Sequence, residues 1–296
     1  MARTDAWLAP AGSQLAPLTV RFAALLRRYL PGGVAAALAA TPFAAPLRAV
    51  LSRSAEGPAW VVVSAGPLAG ARMLLDMRCE KFYWLGTHER SSLLLLHREV
   101  RTGAVAWDIG AHIGYFTLAL SRLVGPEGRV YAFEPLPDNL RRLRANVAAS
   151  GAPNVDALGL ALSDRRGLAR LTRGESTLTG ALDPGGDLSS TALTFTDTVD
   201  GLVARGNVPP EVMKIDVEGA EGAVLRGARE TIASSRPLLV IELHSPEAAR
   251  EAVVALPVRY RFYDVERGRD AGFAPGQGRY LARPEPMGTE GSCVSS

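Results

Sequence analysis

Cysteine and lysine are almost missing from this chain. The two cysteines among its 296 residues, Cys79 and Cys293, lie far apart, the second in a polar tail. That excludes a disulfide framework and fits a reducing compartment. Lysine occurs only at Lys81 and Lys214, so nearly all of the 33 basic residues are arginine. Beside abundant Ala, Gly and Pro, this reads as genome base composition rather than as a phosphate-binding surface. Aromatics make up 6%, so the core is expected to be aliphatic. The net charge of +3 is too small to argue for nucleic acid. A long clean apolar run is also missing. Residues 29–47 carry no charge and approach the roughly 20 residues that span a bilayer. Pro31, Gly32, Gly33, Pro42 and Pro46 interrupt them, and no membrane span is expected. The first residues lack the basic and apolar regions of a secretory leader, so a cytoplasmic location is expected.

What is present is an ordinary globular composition, 47% hydrophobic and 21% charged, in a chain long enough for one catalytic-size domain plus an appendage. Residues 1–55 read as an Ala-rich helical appendage, with helices at 18–29 and 34–40. Arg21, Arg27 and Arg28 form either a solvated face or a patch for an acidic partner. Residues 56–100 read as a β-hairpin, strands 60–64 and 71–76, followed by a helix over 91–99 whose run Leu93 to Leu96 is buried. Residues 101–283 hold the core and 284–296 a frayed tail.

In that core, apolar strands alternate with helical patterns. Strands are expected at 104–108, 128–134, 154–162, 212–216 and 238–242. Helices are expected at 115–124, at 138–149 with Asp138 as its N-cap, and at 220–234. This spacing means an α/β fold with a doubly wound, Rossmann-like parallel sheet. Residues 167–196, rich in Gly, Ser and Thr, read as irregular strands and loops near the active edge.

Ligands of such sheets bind at the carboxyl ends of the strands, where the acids fall. Asp108-Ile-Gly110-Ala111-His112-Ile-Gly114 is a strand-to-helix turn whose glycines let backbone pass close to a ligand. Glu134 closes the second strand, where a carboxylate can accept both ribose hydroxyls. A dinucleotide fingerprint needs glycines two and five positions after the first; His112 and Tyr115 stand there instead. Asp108 would also repel a pyrophosphate but welcome a cation such as the ammonium or sulfonium of S-adenosylmethionine.

A second cluster, Lys214-Ile-Asp216-Val-Glu218-Gly-Ala-Glu221, crowds three carboxylates at a strand end and helix start. They either bind something or complement a helix dipole. Glu242 and His244 end the next strand. Facing Asp216, they suit proton removal from a hydroxyl, or the three could hold a divalent ion such as magnesium. A solvated rim is the plainer reading of His244, while His88 and His97 read as structural.

The runs Val105-Ala-Trp-Asp-Ile-Gly-Ala-His-Ile-Gly-Tyr-Phe-Thr117, Gly128-Arg-Val-Tyr-Ala-Phe-Glu-Pro135, Met213-Lys-Ile-Asp-Val-Glu-Gly-Ala-Glu221, Val224-Leu-Arg-Gly-Ala228 and Ile241-Glu-Leu-His244 resemble the FkbM family of S-adenosylmethionine-dependent methyltransferases. Tyr83-Trp-Leu-Gly-Thr-His-Glu89 resembles the segment that precedes the first core strand in that family. The likeness spans about residues 80–245. It implies a class I methyltransferase fold and methyl transfer, usually to oxygen, on a small-molecule acceptor of the sugar or polyketide type. By matching positions, Asp108, Gly110, Ala111, His112 and Gly114 would line the methionine end of the cofactor, Glu134 its ribose, and Ser163 with Asp164 the adenine. Asp216 would sit beside the transferred methyl. N-methylation of an amino sugar or peptide, a methyltransferase-like binding module without activity and an NAD-linked oxidoreductase stand as rival expectations. Homo-oligomerisation is left open by the sequence.

Overall fold

The computed structural model describes residues 57–172, 175–179 and 191–286. Residues 1–56, with the expected helical appendage, residues 173–174, the 180–190 stretch and the tail beyond 286 lie outside the described residues. The hairpin forms as expected: β1 (Ala59–Val62) pairs antiparallel with β2 (Arg72–Leu75). Two helices follow, α1 (Lys81–Leu85) and α2 (Arg90–Glu99). Of the run Leu93 to Leu96, only Leu93 and Leu96 are fully buried, and Leu94 faces out, because a helix turns successive residues through about 100°.

The main sheet is built from β3 (Val105–Ile109), β4 (Arg129–Phe133), β5 (Val155–Leu158), β10 (Val212–Ile215), β11 (Leu238–Leu243), β12 (Tyr260–Asp264), β13 (Arg269–Gly272) and β14 (Gly278–Pro284). Their order is β13-β12-β14-β11-β10-β3-β4-β5. Strands β3, β4, β5, β10 and β11 run parallel, and β14 is inserted antiparallel between β11 and β12. The direction of travel reverses between β3 and β10, and that switch point opens a crevice at the carboxyl ends. Helices α3 (Tyr115–Val124) and α4 (Pro137–Ala149) connect the first half, and α8 (Pro246–Ala255) follows β11.

The strands are apolar on both faces, as a sheet covered by helices on both sides requires. Trp107, Phe133, Met213, Ile215, Leu239 and Ile241 pack into one layer of core; Ala106, Val130, Val212 and Val240 face another with α3 and the hairpin. Across that second face the register sets Ala132, Asp108, Lys214 and Val240 in one row. Two charged residues are thereby carried into a buried layer.

Several expectations need correction. The strand expected at 154–162 splits into β5 and a short β6 (Ala161–Leu162), which belongs to a second sheet. That sheet, ordered β6-β9-β7-β8, orders the region read as irregular: β7 (Gly167–Thr172), β8 (Glu175–Thr179) and β9 (Thr191–Asp197). A short helix, α5 (Val199–Ala204), follows it. The helix expected at 220–234 breaks into α6 (Glu221–Arg226) and α7 (Arg229–Ser235) around Gly227, which is pressed against the Ser163 carbonyl. Asp138 is not the N-cap: Leu136 holds that position, and Asp138 sits in the first turn of α4, behind Pro137. The antiparallel strands β12 to β14 at the far edge were not foreseen. No helix among the described residues is long and apolar enough to cross a membrane.

Candidate active site

A cavity of about 490 Å³ opens at the carboxyl ends of β3, β4, β10 and β11, within the roughly 300–1,000 Å³ range of small-molecule sites. Of the residues expected there, Gly110, Ala111, His112, Glu134, Asp216, Glu242 and His244 line it. Asp108, Gly114, Ser163 and Asp164 do not. Gly114 starts α3 with Leu143 packed on it. Ser163 spends its backbone N–H on the Asp197 carbonyl, and Asp164 turns to Arg226 at 3.4 Å. The adenine contact expected of that pair is therefore not in their side-chain placement.

The turn after β3 explains its first glycine. Gly110 has φ +81°, and a β-carbon there would lie 1.9 Å from the Asp216 carbonyl oxygen. The glycine-rich turn and the Asp216 backbone touch, which only a residue without a side chain permits. His112, also in the left-handed region at φ +51°, donates its backbone N–H to Glu134 Oε2 at 2.8 Å. Glu134 Oε1 accepts from the Leu136 N–H at 2.9 Å. Burial raises the Glu134 carboxyl above its ordinary value, against the pull of those two N–H groups. Its position is fixed by backbone, with acceptor capacity left toward the cavity.

Asp108 is not the exposed anion that the sequence suggested. It is fully buried, accepts from Thr117 Oγ1 at 2.6 Å, and lies 3.4 Å from Lys214 Nζ. Burial raises its carboxyl, with Lys214 opposing. The same ammonium lies 3.4 Å from Asp216 Oδ2 and donates to the Gly110 carbonyl at 2.7 Å. Sequence reasoning missed Lys214. The available signal was composition: a chain that uses arginine almost everywhere placed a lysine in a buried strand. A compact ammonium on a thin stem fits where a planar guanidinium fork does not.

Asp216 would be raised by burial alone, but Lys214 and then His244 outweigh this and hold it below the ordinary carboxylate value. His244 stands among three carboxylates: Glu221 at 2.9 Å from Nδ1, Glu218 at 3.3 Å and Asp216 at 3.6 Å from Nε2. The Glu221 hydrogen bond, against the effect of burial, lifts its pKa to about 9. It is an imidazolium at neutral pH, not a free base. Glu242 is paired in register with Arg279 across β11 and β14, and their side chains meet at 2.7 Å. Tyr83, His88 and Glu89, from the segment around α1 and α2, close the opposite wall.

The trio expected to hold a metal, Asp216, Glu242 and His244, does not form one cluster. Oxygens and nitrogens come within 4.8 Å of one another in two other sets, Asp216 with Glu218 and His244, and Glu89 with Asp216 and Glu242. A ligating imidazole must give up its proton, whereas three carboxylates hold the His244 proton in place, and Arg279 already occupies the space between Glu89 and Glu242. The donor set does not fit a divalent ion. It does fit a cationic nucleoside. A fixed carboxylate at the end of β4 faces the glycine turn, and carboxylates outnumber cations in the wall.

A doubly wound sheet with one inserted antiparallel strand, acids at successive strand ends and a glycine turn after the first strand is the class I methyltransferase arrangement. The chain belongs to the FkbM methyltransferase family: the Methyltransferase FkbM domain matches residues 108–273. It is 33% identical over 159 residues to the hexuronic acid methyltransferase AglP of Haloferax volcanii, covering 53% of this chain and 63% of that protein. It is 32% identical over 190 residues to the 31-O-demethyl-FK506 methyltransferase FkbM of Streptomyces tacrolimicus, covering 53% and 72%. A crystal structure of methyltransferase FkbM from Methylobacillus flagellatus aligns with 70% of this chain and 51% of that one, at 18% identity and a TM-score of 0.43. The chain thus spans less than two thirds of AglP and about half of the solved protein.

Proposed function

We propose that the protein is an S-adenosylmethionine-dependent O-methyltransferase acting on a hydroxyl of a small molecule of the sugar or polyketide type. The observation that carries this reading is that Glu134 and Asp216, at the ends of β4 and β10, open on one cavity with the Gly110 turn between them. The names of the relatives, one for a hexuronic acid and one for a demethylated FK506, support the acceptor type. When bound, S-adenosylmethionine supplies an electrophilic methyl group on a sulfonium.

The chain's own residues then have three tasks. Glu134, held by two backbone N–H groups, would accept hydrogen bonds from the ribose hydroxyls. The Gly110 turn would let backbone lie against the cofactor. Asp216 would orient the acceptor hydroxyl and take its proton. An ionised aspartate is a weak base, but that proton becomes strongly acidic as its oxygen bonds to carbon, so late transfer to Asp216 suffices. His244 and Glu242, considered above as bases, are committed to Glu221 and Arg279. His244 would keep Asp216 charged, and Glu242 would hold Arg279, a second cation that favours the charged form, beside it.

Calorimetric titration with S-adenosylhomocysteine, with NAD as the control, tests the cofactor. Transfer of labelled methyl to a panel of glycosides and hydroxylated polyketides, read by mass spectrometry, tests the reaction. Asp216→Asn should abolish turnover while leaving cofactor binding largely intact. Turnover retained in that variant sinks the assignment of Asp216.

A further inference from the structure

We propose that Glu89 and Glu242 form the acceptor-binding wall of this cavity and select an acceptor that donates hydrogen bonds and carries no anionic group, a neutral polyol such as a glycoside. This deepens the methyl-transfer reading above and rests on it, and it separates this chain from its relative named for a hexuronic acid, an acceptor class that carries a carboxylate.

Glu89 lies outside the family-matched residues 108–273 and has no part in the proton step. It precedes α2 with φ +44°, a left-handed conformation that non-glycine residues adopt only when their surroundings over-determine it, and such strain gathers at functional sites. Its side chain is 7% exposed, yet it borders the cavity. His88 Nε2 lies 3.1 Å away and Arg279 Nε 3.5 Å away. Its carboxylate oxygens come within 4.8 Å of those of Asp216 and Glu242, so three acids from three separate elements converge on one spot.

The cations of the wall are all claimed. Arg279 meets Glu242 at 2.7 Å, Glu89 at 3.5 Å and Glu266 at 3.7 Å. Lys214 serves Asp108, Asp216 and the Gly110 carbonyl, and His244 serves Glu221, Glu218 and Asp216. An anionic acceptor would meet no open guanidinium fork and would face like charge in a partly desolvated site. Hydroxyl groups would instead meet carboxylate lone pairs. A site built this way rejects an analogue that cannot donate.

Saturation-transfer NMR on the full chain loaded with S-adenosylhomocysteine tests this, using methyl β-glucopyranoside and methyl β-glucuronide at equal concentration. The glucoside should show at least about tenfold stronger saturation than the glucuronide. Glu89→Gln keeps the shape but releases one carboxylate from Arg279, so the preference should shrink or invert. Glu242→Gln, expected to act in the same direction, serves if the first variant does not fold. Saturation of the glucuronide equal to or above that of the glucoside in the wild type overturns the proposal, as does a silent glucoside. An unchanged preference in both variants removes the wall assignment. Calorimetry with S-adenosylhomocysteine alone is read separately: if it fails to bind, the cofactor reading fails and takes this proposal with it.

Discussion

The Lys214 ammonium stands midway between Asp108 and Asp216, 3.4 Å from an oxygen of each, and also holds the Gly110 carbonyl. One cation thus ties the end of β3, the glycine turn and the acid after β10. Removing one partner of a buried ion pair leaves the others charged and desolvated, at a cost of about 3–5 kcal/mol. Lys214→Met should therefore lower folding stability by that order in a urea titration, and it should weaken S-adenosylhomocysteine binding through the loosened turn. A midpoint within experimental error of the wild type would show that the ammonium is dispensable to both acids.

Glu134 separates binding from folding. Its carboxylate accepts from two backbone N–H groups, at 2.8 and 2.9 Å, and Gln can keep one of these with its amide oxygen. Hydrogen bonds to a charged group contribute about 1.5–3 kcal/mol, so Glu134→Gln should weaken S-adenosylhomocysteine binding by roughly 10–100-fold, while the one backbone N–H left unpaired lowers the melting temperature by a few degrees only. Calorimetry reads the first and scanning fluorimetry the second. Undiminished affinity would remove Glu134 from the ribose contact.

Four of the five parallel strands were legible because each is a short apolar run closing on an acid; β5, which closes on none, was read as part of a longer strand. Helix 115–124 matched to the residue. The antiparallel edge was not legible. In β14 only part of the strand is apolar, and its meaning depends on β11 and β12, which lie far away in sequence. The acids of the site could be read from strand ends, but their charge states could not. Asp108 looked like an open anion because nothing local shows that Lys214, more than a hundred residues on, shares its row. His244 looked like a base because Glu218 and Glu221, left open between binding something and complementing a helix start, were not connected to its ring. Glu89 showed only as the end of the family-like segment 83–89, with no role attached, and Arg279 gave no sign, since neither sits at the carboxyl end of a parallel strand.

The His244 ring makes a pH prediction. Its pKa is held at about 9 by Glu221, whose Oε1 lies 2.9 Å from Nδ1, whereas an unfolded histidine titrates near about 6.5. A folded pKa above the unfolded value stabilises fully below about pH 6.5, and the contribution fades as pH rises through about 9. It amounts to roughly 3 kcal/mol at most. Melting temperature should therefore fall between those two pH values in the wild type and stay flatter in His244→Asn. Asp216, held below its ordinary value, loses its contribution only on the acid side and does not overlap this window. An NMR titration of the imidazole that returned an ordinary pKa would refute the carboxylate cage around it.

Gly227 isolates close approach from backbone freedom. Its φ is −77°, which alanine adopts without strain, so nothing in its conformation demands glycine. A β-carbon there would nevertheless sit 2.0 Å from the Ser163 carbonyl oxygen. The clash is with backbone, so no side-chain rotation relieves it. Ser163 is in turn anchored to Asp197 at the end of β9, and Gly227 accepts the Asp200 N–H at 2.9 Å. Gly227→Ala must therefore push the α6–α7 junction away from the small sheet, whose Leu162 and Leu171 line the cavity. Overpacking of this kind costs about 1–3 kcal/mol. The variant should unfold at correspondingly lower denaturant and bind S-adenosylhomocysteine less tightly, although it lies outside the cavity wall. A variant as stable as the wild type would mean that the junction yields freely and that the break between the two helices has another cause.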